Sequence, residues 1–204
     1  MFFQGNDPVH RTMHRVADAL EAANIPYAIV GGMAVNAHNH RRTTGDVDFL
    51  LTTSGFEAFR RLVLSGDFER VPGRPRRFFD SATGVTFDIL ITGLFPGSGK
   101  PGPFPFPDPS DVSVAIGGRR VVNLATLIQL KLAATRHQDF ADVVNLIRVH
   151  DLAESFLAHL HPSVHRDFIE CLEEKRREDE YEARQDEAVE RHDKEEGPQP
   201  PSGP

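Results

Sequence analysis

Three aspartates lie in or beside apolar runs that would form β-strands. Asp46 directly precedes the run Val47–Leu51, and Asp48 is the second residue of that run, whose residue types favour a strand. Asp88 interrupts a second such run, Val85–Ile91. Residues i and i+2 of a strand project to the same face, about 6.5 Å apart along the backbone. The first two carboxylates therefore repel each other unless something positive lies between them.

A divalent cation is the simplest positive partner for such a group of acids, because Mg²⁺ binds oxygen ligands. We predict that Asp46, Asp48 and Asp88 bind Mg²⁺, with two ions expected and Mn²⁺ as an alternative. Two cations about 3.5–4 Å apart, bridging a triphosphate, would stabilise the attacking and leaving oxygens of a displacement at phosphorus. Asp88 is also a candidate general base for an acceptor hydroxyl. If these acids have only a structural role, Asp46 and Asp48 would be a cap and an exposed strand end, and Asp88 would be an acid paired within the core.

Gly31 and Gly32 follow directly after the apolar run Tyr27–Val30 and precede a predicted helix. Glycines let the backbone approach a ligand closely, and free N–H groups at a helix start attract phosphate. The two residues are therefore predicted to contact an anion, although a bare Gly-Gly pair also suits any tight turn. Nearby, Arg41 and Arg42 either bind phosphates bidentately or are simply solvated.

The segments around these residues predict alternating strands and helices. Apolar residues at helical spacing predict a helix from Val9 to Ala23, with Asp7-Pro8 at its start. A long loop is predicted from Gly93 to Pro109, which contains six prolines and four glycines and is either functional or disordered. The other predicted elements are strands at Tyr27–Val30, Val47–Leu51, Phe78-Phe79 and Val85–Ile91, helices at Met33–Ala37 and Phe56–Leu64, and a hairpin of Val112–Ile116 with Arg119–Val122 around Gly117-Gly118.

From Asn123 onward the sequence pattern predicts helices, and Asn123 is a suitable N-cap for the first of them. Helices are predicted at Leu124–Arg136, Asp139–Val149 and Leu152–Leu160, and a fourth from Ser163 that becomes almost purely charged after Leu172. The sequence thus predicts an α/β (α+β) fold with a small mixed sheet in residues 1–122 and a helical subdomain in residues 123–172. Residues 173–204 are predicted to be a charged helix that frays into a disordered end, Gly197–Pro204.

Charge is unevenly distributed along the 204 residues. The net charge of −7 comes from the residues after Ile169, which hold 13 acidic and 6 basic side chains, whereas the rest is balanced at 17 of each. The single cysteine, Cys171, excludes an internal disulfide bond and fits a reducing compartment. With neither a membrane-length apolar run nor a signal-peptide pattern, we expect a cytoplasmic protein with no membrane partner.

The motif of Gly31-Gly32, thirteen residues, Asp46-x-Asp48 and a later strand aspartate resembles the DNA polymerase β-like nucleotidyltransferase superfamily. The form with Arg41/Arg42 and Thr44 before the acids looks like its AbiEii-type toxin, or minimal nucleotidyltransferase, branch. The stretch 127–143 is similar to that branch's pair of helices, although Gln138 stands where lysine is usual. The resemblance covers about Ala17 to Ile147, and the residues matched in the helix pair are Lys131, Arg136, Asp139 and Asp142.

The resemblance implies a nucleotidyltransferase fold that binds ATP or another nucleoside triphosphate (NTP). It implies that Lys131 reaches the triphosphate and that Arg136 and Asp139 line the site, together with Arg42 and Thr44. Each also has a structural alternative, since a lysine can extend from an apolar helix to the surface and the other charges can form helix-surface ion pairs. His38 and His40 are expected to be surface residues, because no third ligand at zinc spacing accompanies them.

The implied reaction moves a nucleoside monophosphate (NMP) from an NTP to an acceptor hydroxyl. The resemblance suggests RNA, such as a tRNA 3′ end, or a protein as acceptor, with a cognate antitoxin as a further partner. An aminoglycoside-type small acceptor is an alternative and would predict a compact acidic pocket. The rivals from other classes are a non-catalytic, antitoxin-like nucleotide-binding module and an interaction protein that acts through its charged C-terminal helix.

Overall fold

The computed structural model describes residue 5, residues 7–63 and residues 66–195, and it describes no side chains beyond residue 191. The predicted end of the Phe56–Leu64 helix and the predicted disordered end, Gly197–Pro204, lie outside the described residues. The helices are α1 (Pro8–Ala22), α2 (Gly31–Ala37), α3 (Thr53–Val63), α4 (Pro109–Val112), α5 (Leu124–Ala134), α6 (His137–His150) and α7 (His165–Glu195). The strands are β1 (Tyr27–Val30), β2 (Val47–Leu51), β3 (Phe68–Arg70), β4 (Arg77–Asp80), β5 (Val85–Ile91), β6 (Ser113–Ile116) and β7 (Arg119–Val122).

The described strands form one mixed sheet of seven in the order β3-β4-β5-β2-β1-β7-β6. β2 lies at its centre, parallel to β5 on one side and antiparallel to β1 on the other. β1 also runs parallel to β7, and the remaining neighbours are antiparallel. The α/β class and the mixed sheet predicted from the sequence are confirmed.

Local sequence explains where the longer helices begin. The Asp7 carboxylate accepts hydrogen bonds from the backbone of Val9 and His10, and a proline follows at the first helical position of α1. The Asn123 side chain accepts from the backbone of Thr126 and starts α5 in the same way. Both caps were predicted, because cap chemistry acts within three residues and does not depend on the tertiary fold.

One hydrophobic core includes side chains from both halves of the chain. It includes phenylalanines of α3, β4 and β5, in which Phe59 and Phe78 meet edge to face with their centroids 5.2 Å apart, and Phe78 stacks on Phe87 at 5.6 Å. Leu127 and Ile128 of α5 belong to the same core. The division at residue 123 into a catalytic unit and a helical subdomain stays a prediction.

The structure differs from the predicted elements at several places. Residues 152–160 form a 3-10 helix, Glu154–His159, rather than an α-helix, in a short space between the left-handed Asp151 and Pro162. A second 3-10 turn, Pro162–Val164, precedes α7, which therefore begins two residues later than predicted. β3 and α4 were not predicted, because segments of three and four residues show no resolvable periodicity.

The long loop after β5 is fixed by its own hydrogen bonds. Gly93 donates to the carbonyl of Phe106, and Phe106 donates back to Leu94, at 2.9 and 2.7 Å. The Phe106 side chain is buried in the core. Gly97, at φ +66°, lies so close to the last turn of α5 that an added Cβ would be 2.8 Å from the Ala134 carbonyl oxygen. The loop therefore packs against the C-terminal end of α5.

Residues 181–191 of α7 are exposed to solvent, as the charge pattern predicts, and the part before them forms ion pairs. Lys175 pairs with Asp179 one turn later at 2.7 Å, and Arg148 of α6 reaches Glu178 at 2.6 Å. Within the described residues, none of the helices combines the length and the apolar character of a membrane span.

Asp80 fastens α1 to the turn between β4 and β5. Its fully buried carboxylate accepts hydrogen bonds from Arg15 at 3.1 and 3.2 Å, from the Thr12 hydroxyl at 3.2 Å and from the backbone of Ala82 at 3.0 Å. Arg15 also lies 3.6 Å from Asp67, whose side chain is 77% exposed. The same arginine thus has one buried and one solvated acidic partner.

We predict that Asp80→Ala lowers the free energy of unfolding by about 3 kcal/mol, since it deprives the buried Thr12 hydroxyl, the partly buried Arg15 and the backbone of Ala82 of their shared acceptor. Asp67→Ala is the matched control and should cost less than about 0.5 kcal/mol, because an exposed pair contributes little. Urea unfolding followed by circular dichroism measures both. Equal losses in the two variants would contradict the structural role given to Asp80.

Candidate active site

The three predicted acids meet at the centre of the sheet. Asp46 directly precedes β2, and Asp48 is the second residue of β2. Asp88 lies in β5, and the parallel β2–β5 register sets it opposite Asp48. Directly opposite residues of neighbouring strands point to the same face. The fold therefore gathers on one face three carboxylates that are far apart in the sequence.

Gly31 brings the backbone against this acid cluster. It begins α2 with φ +62°, in the left-handed region that favours glycine. A Cβ at Gly31 would lie 1.9 Å from the Asp48 Oδ2 atom, so no other residue fits without moving the carboxylate. At Gly32 an added Cβ would lie 2.6 Å from Thr44 Oγ1 and 3.1 Å from Arg42 Nη2. The two glycines thus allow the start of α2 to contact three of the predicted site residues.

The acids act on one another electrostatically. Burial, together with the negative charges of Asp46 and Asp88, raises the pKa of Asp48 to about 7. The charges of Arg136 and Lys131 act in the opposite direction. Near neutral pH any positive charge added beside the three acids therefore stabilises their ionised forms.

Arg77, the first residue of β4, supplies such a charge. Its Nε lies 3.0 and 3.1 Å from the two oxygens of Asp88, and its Nη2 donates to Oδ2 at 2.5 Å. The same Nη2 is 3.8 Å from Asp46 Oδ2. The hydrogen bonds to Asp88 and that carboxylate's charge raise the pKa of the guanidinium above its usual value. Arg77 is therefore the direct partner of Asp88.

The donor chemistry of the cluster fits a divalent cation, because three carboxylates share one face, and burial together with their repulsion raises the pKa of Asp48. Across the described part of the chain, however, no three histidine, cysteine or acidic side chains are already arranged around a common metal position. The bidentate pair with Arg77 occupies both oxygens of Asp88. A cation at these acids would have to share or displace that arginine.

A second group of charges lies where α5 and α6 meet. Lys131 Nζ is 2.9 Å from Asp139 Oδ1 and 2.6 Å from Asp142 Oδ2, and all three side chains are at most 6% exposed. The structure therefore places the lysine between two buried acids. Its predicted contact with the triphosphate stays a prediction.

Two arginines complete this network from outside. Arg42 donates from Nη2 to Asp142 at 3.1 Å, and its Nε approaches the other oxygen at 2.7 Å without hydrogen-bond alignment. Arg136, 72% exposed, donates from Nε to Asp139 at 2.6 Å. Three cations, Lys131, Arg42 and Arg136, thus surround the two anions Asp139 and Asp142. These five residues are called the α5–α6 network below. Gln138 donates to Asp142 at 3.3 Å and adds no charge to the group.

A cavity of about 760 Å³ joins the acid cluster to this network. That volume is within the range of small-molecule sites, about 300–1,000 Å³. The turn Gly73–Arg77 and the loop segment Phe95–Gly99 form further parts of its wall. All ten residues predicted for the site line it, namely Gly31, Gly32, Arg42, Thr44, Asp46, Asp48, Asp88, Lys131, Arg136 and Asp139.

Some features of the site were not predicted or were predicted differently. Arg77 was not predicted as a site residue, because its pairing with Asp88 depends on the antiparallel β4–β5 register. The expectation that His38 is a surface residue was wrong. It is buried at the end of α2, where a ring nitrogen bonds to the Val122 carbonyl at 2.8 Å.

Solved structures share this architecture. The lincosamide antibiotic adenylyltransferase LnuA, bound to lincomycin, matches 71% of this chain and 99% of its own at a TM-score of 0.50 and 16% identity. ANT(2″)-Ia in complex with adenylyl-2″-tobramycin matches 78% of this chain and 96% of its own at a TM-score of 0.50 and 15% identity. No family model and no curated protein sequence matches the chain. The chain therefore has the nucleotidyltransferase fold that its motifs predict.

We predict that Gly31→Ala costs at least about 1–2 kcal/mol of unfolding free energy, from left-handed strain alone. The added methyl would also displace Asp48. Gly45→Ala is the control, because nothing lies within 4 Å of a Cβ there, and it should change stability by less than about 0.5 kcal/mol. Chemical denaturation compares the two. If both substitutions are tolerated equally, the close approach of Gly31 to Asp48 is wrong.

The raised pKa of Asp48 makes stability depend on pH in metal-free buffer. Between the ordinary carboxyl pKa of 3.8 and about 7, the native state holds a proton that the unfolded state has released. The free energy of unfolding from this group therefore falls as pH rises through that window. Asp48→Asn removes the effect and should be more stable than the wild type at about pH 8, by on the order of 2–4 kcal/mol.

Urea titrations at several pH values measure this difference. Asp111→Asn, at an exposed acid outside the cavity lining, should follow the wild type at each pH. A wild type that gains stability between about pH 4 and 7 relative to Asp48→Asn would reverse the predicted sign.

Proposed function

We propose that this protein is a Mg²⁺-dependent nucleotidyltransferase of the AbiEii-type branch, which transfers an NMP from an NTP to an acceptor hydroxyl. The observation that supports this best is the convergence, on one cavity, of Asp46, Asp48 and Asp88 with the cations of the α5–α6 network. An acid cluster beside a cationic group suits a cation-bound triphosphate, since one half binds the cation and the other the phosphates.

The cationic half would bind the triphosphate. Arg136 is largely exposed to the cavity, and its guanidinium is held by Asp139 in a fixed direction. Arg42 is held in a similar way by Asp142. Lys131 contributes its charge from between these two acids. Because the two anions have three cationic partners, this group keeps one positive charge in excess for an anionic ligand.

The acidic half would hold the cation through Asp46, Asp48 and Asp88. When bound, Mg²⁺ neutralises phosphate charge and aligns the reacting groups. We propose Asp88 as the group that accepts the proton of the acceptor hydroxyl once its oxygens are free of Arg77. Gly31 leaves room for the Asp48 carboxylate, because a Cβ there would lie 1.9 Å from its Oδ2 atom.

The charge of the cavity favours an RNA acceptor. Six cationic side chains and four acids line it among the described residues, and three of those acids are the proposed cation ligands. The fourth, Asp139, is occupied by Lys131 and Arg136. Arg74 and Arg76 are exposed on the wall beside the acids, where they suit a phosphate backbone. The aminoglycoside alternative calls for free carboxylates in the pocket, which this lining does not offer.

Two further partners belong to the same proposal. A protein acceptor remains the second choice, and a cognate antitoxin would be expected if the branch is right. A non-catalytic nucleotide-binding module would use the same acids to hold a cation-bound nucleotide, and it would transfer no NMP. The labelled-transfer assay below separates this alternative from the enzyme.

The test is transfer of label from each α-³²P NTP in Mg²⁺ buffer to tRNA, to protein, and to tobramycin or lincomycin. We expect labelled tRNA, and at least about 100-fold less with Asp48→Asn, because transition-state stabilisation by the cation is worth several kcal/mol. Asp111→Asn should retain wild-type activity. Label on the antibiotic alone would support the small-molecule alternative. No label on any acceptor would contradict the proposed reaction.

A further inference from the structure

Arg77 occupies the position where the acid cluster would meet a cation. Both oxygens of Asp88 accept its hydrogen bonds, and its Nη2 lies 3.8 Å from Asp46. A guanidinium that binds a carboxylate bidentately uses about two of its four lone pairs and places a positive charge beside it, and that charge repels a metal ion. Arg77 and a divalent cation therefore compete for Asp88.

The side chain of Arg77 is nevertheless free to leave. It is 38% exposed, and Asp46 is 45% exposed, so the contact faces solvent rather than the core. The backbone of Arg77 is fixed by its pairing with Asp88 in the β4–β5 register, so its departure requires only side-chain rotation. This distinguishes it from Lys131, which is held by two buried acids.

An anion in the cavity is the partner that would draw Arg77 away. Arg74, Arg76 and Arg77 line the same cavity as the cations of the α5–α6 network. A triphosphate brings several negative charges into this space, and arginine binds phosphate with the same fork geometry that it uses for carboxylates.

We propose that Arg77 is a positioning residue that keeps Asp88 and Asp46 closed to divalent cations until a triphosphate takes its guanidinium. Cation and nucleotide then bind together, and the free protein binds the cation weakly. This inference rests on the proposed function. The inference adds the order in which nucleotide and cation fill the site.

The test measures Mn²⁺ alone, without nucleotide, by the electron paramagnetic resonance signal of the free ion. Full-length wild type, Arg77→Gln and Arg76→Gln are compared in the same buffer. We expect Arg77→Gln to bind Mn²⁺ about ten-fold more tightly than the wild type, because the Mn²⁺ no longer has to displace a partly exposed charge-assisted pair. Arg76→Gln makes the same charge change on the same wall and should alter Mn²⁺ affinity by less than about two-fold.

Arg77→Lys provides a second variant that keeps the charge but loses the fork, and it should bind Mn²⁺ more tightly than the wild type and less tightly than Arg77→Gln. Thermal unfolding confirms that each variant is folded. If Arg77→Gln gains no more Mn²⁺ affinity than Arg76→Gln, the inference is overturned. The proposed function is then judged separately, by whether the wild type binds ATP with Mg²⁺ and loses that binding in Asp48→Asn.

Discussion

The repulsion between three carboxylates on one face of a sheet is the constraint on which the rest of this structure depends. The parallel register of β2 and β5 sets Asp48 opposite Asp88, and Asp46 lies just before the same strand. Burial then raises the pKa of Asp48 to about 7. The guanidinium of Arg77 offsets part of this repulsion through its hydrogen bonds to Asp88, but a partly exposed pair offsets little of the cost.

Two groups of ion pairs in the cavity differ in how easily they exchange partners. The pair between Arg77 and Asp88 is partly solvated, so its net contribution to stability is small and it can be replaced by another ion. The contacts of Lys131 with Asp139 and Asp142 are buried, and removing one member would leave an uncompensated charge. The buried group therefore suits a fixed scaffold for cations, and the solvated pair suits a step that changes during binding.

The sequence predicts the local elements and the members of the site better than it predicts their contacts. The strands at Tyr27–Val30 and Val85–Ile91 follow from composition alone, and all ten proposed site residues line one cavity. Which strands pair, and in which register, depends on the tertiary fold, so the partner of Arg77 could not be found. The placement of Lys131 between two acids depends on the left-handed turn at Thr135, which joins α5 to α6.

The central claim is that this acid cluster binds a cation together with a nucleotide. Isothermal titration calorimetry of ATP into the wild type, with and without Mg²⁺, tests it most directly. The account predicts saturable ATP binding that requires Mg²⁺ and that falls by at least about 100-fold in the Asp46→Asn/Asp48→Asn variant, in which the cation loses two charged ligands. A folded wild type that binds none of the four NTPs in the presence of Mg²⁺ would contradict the account.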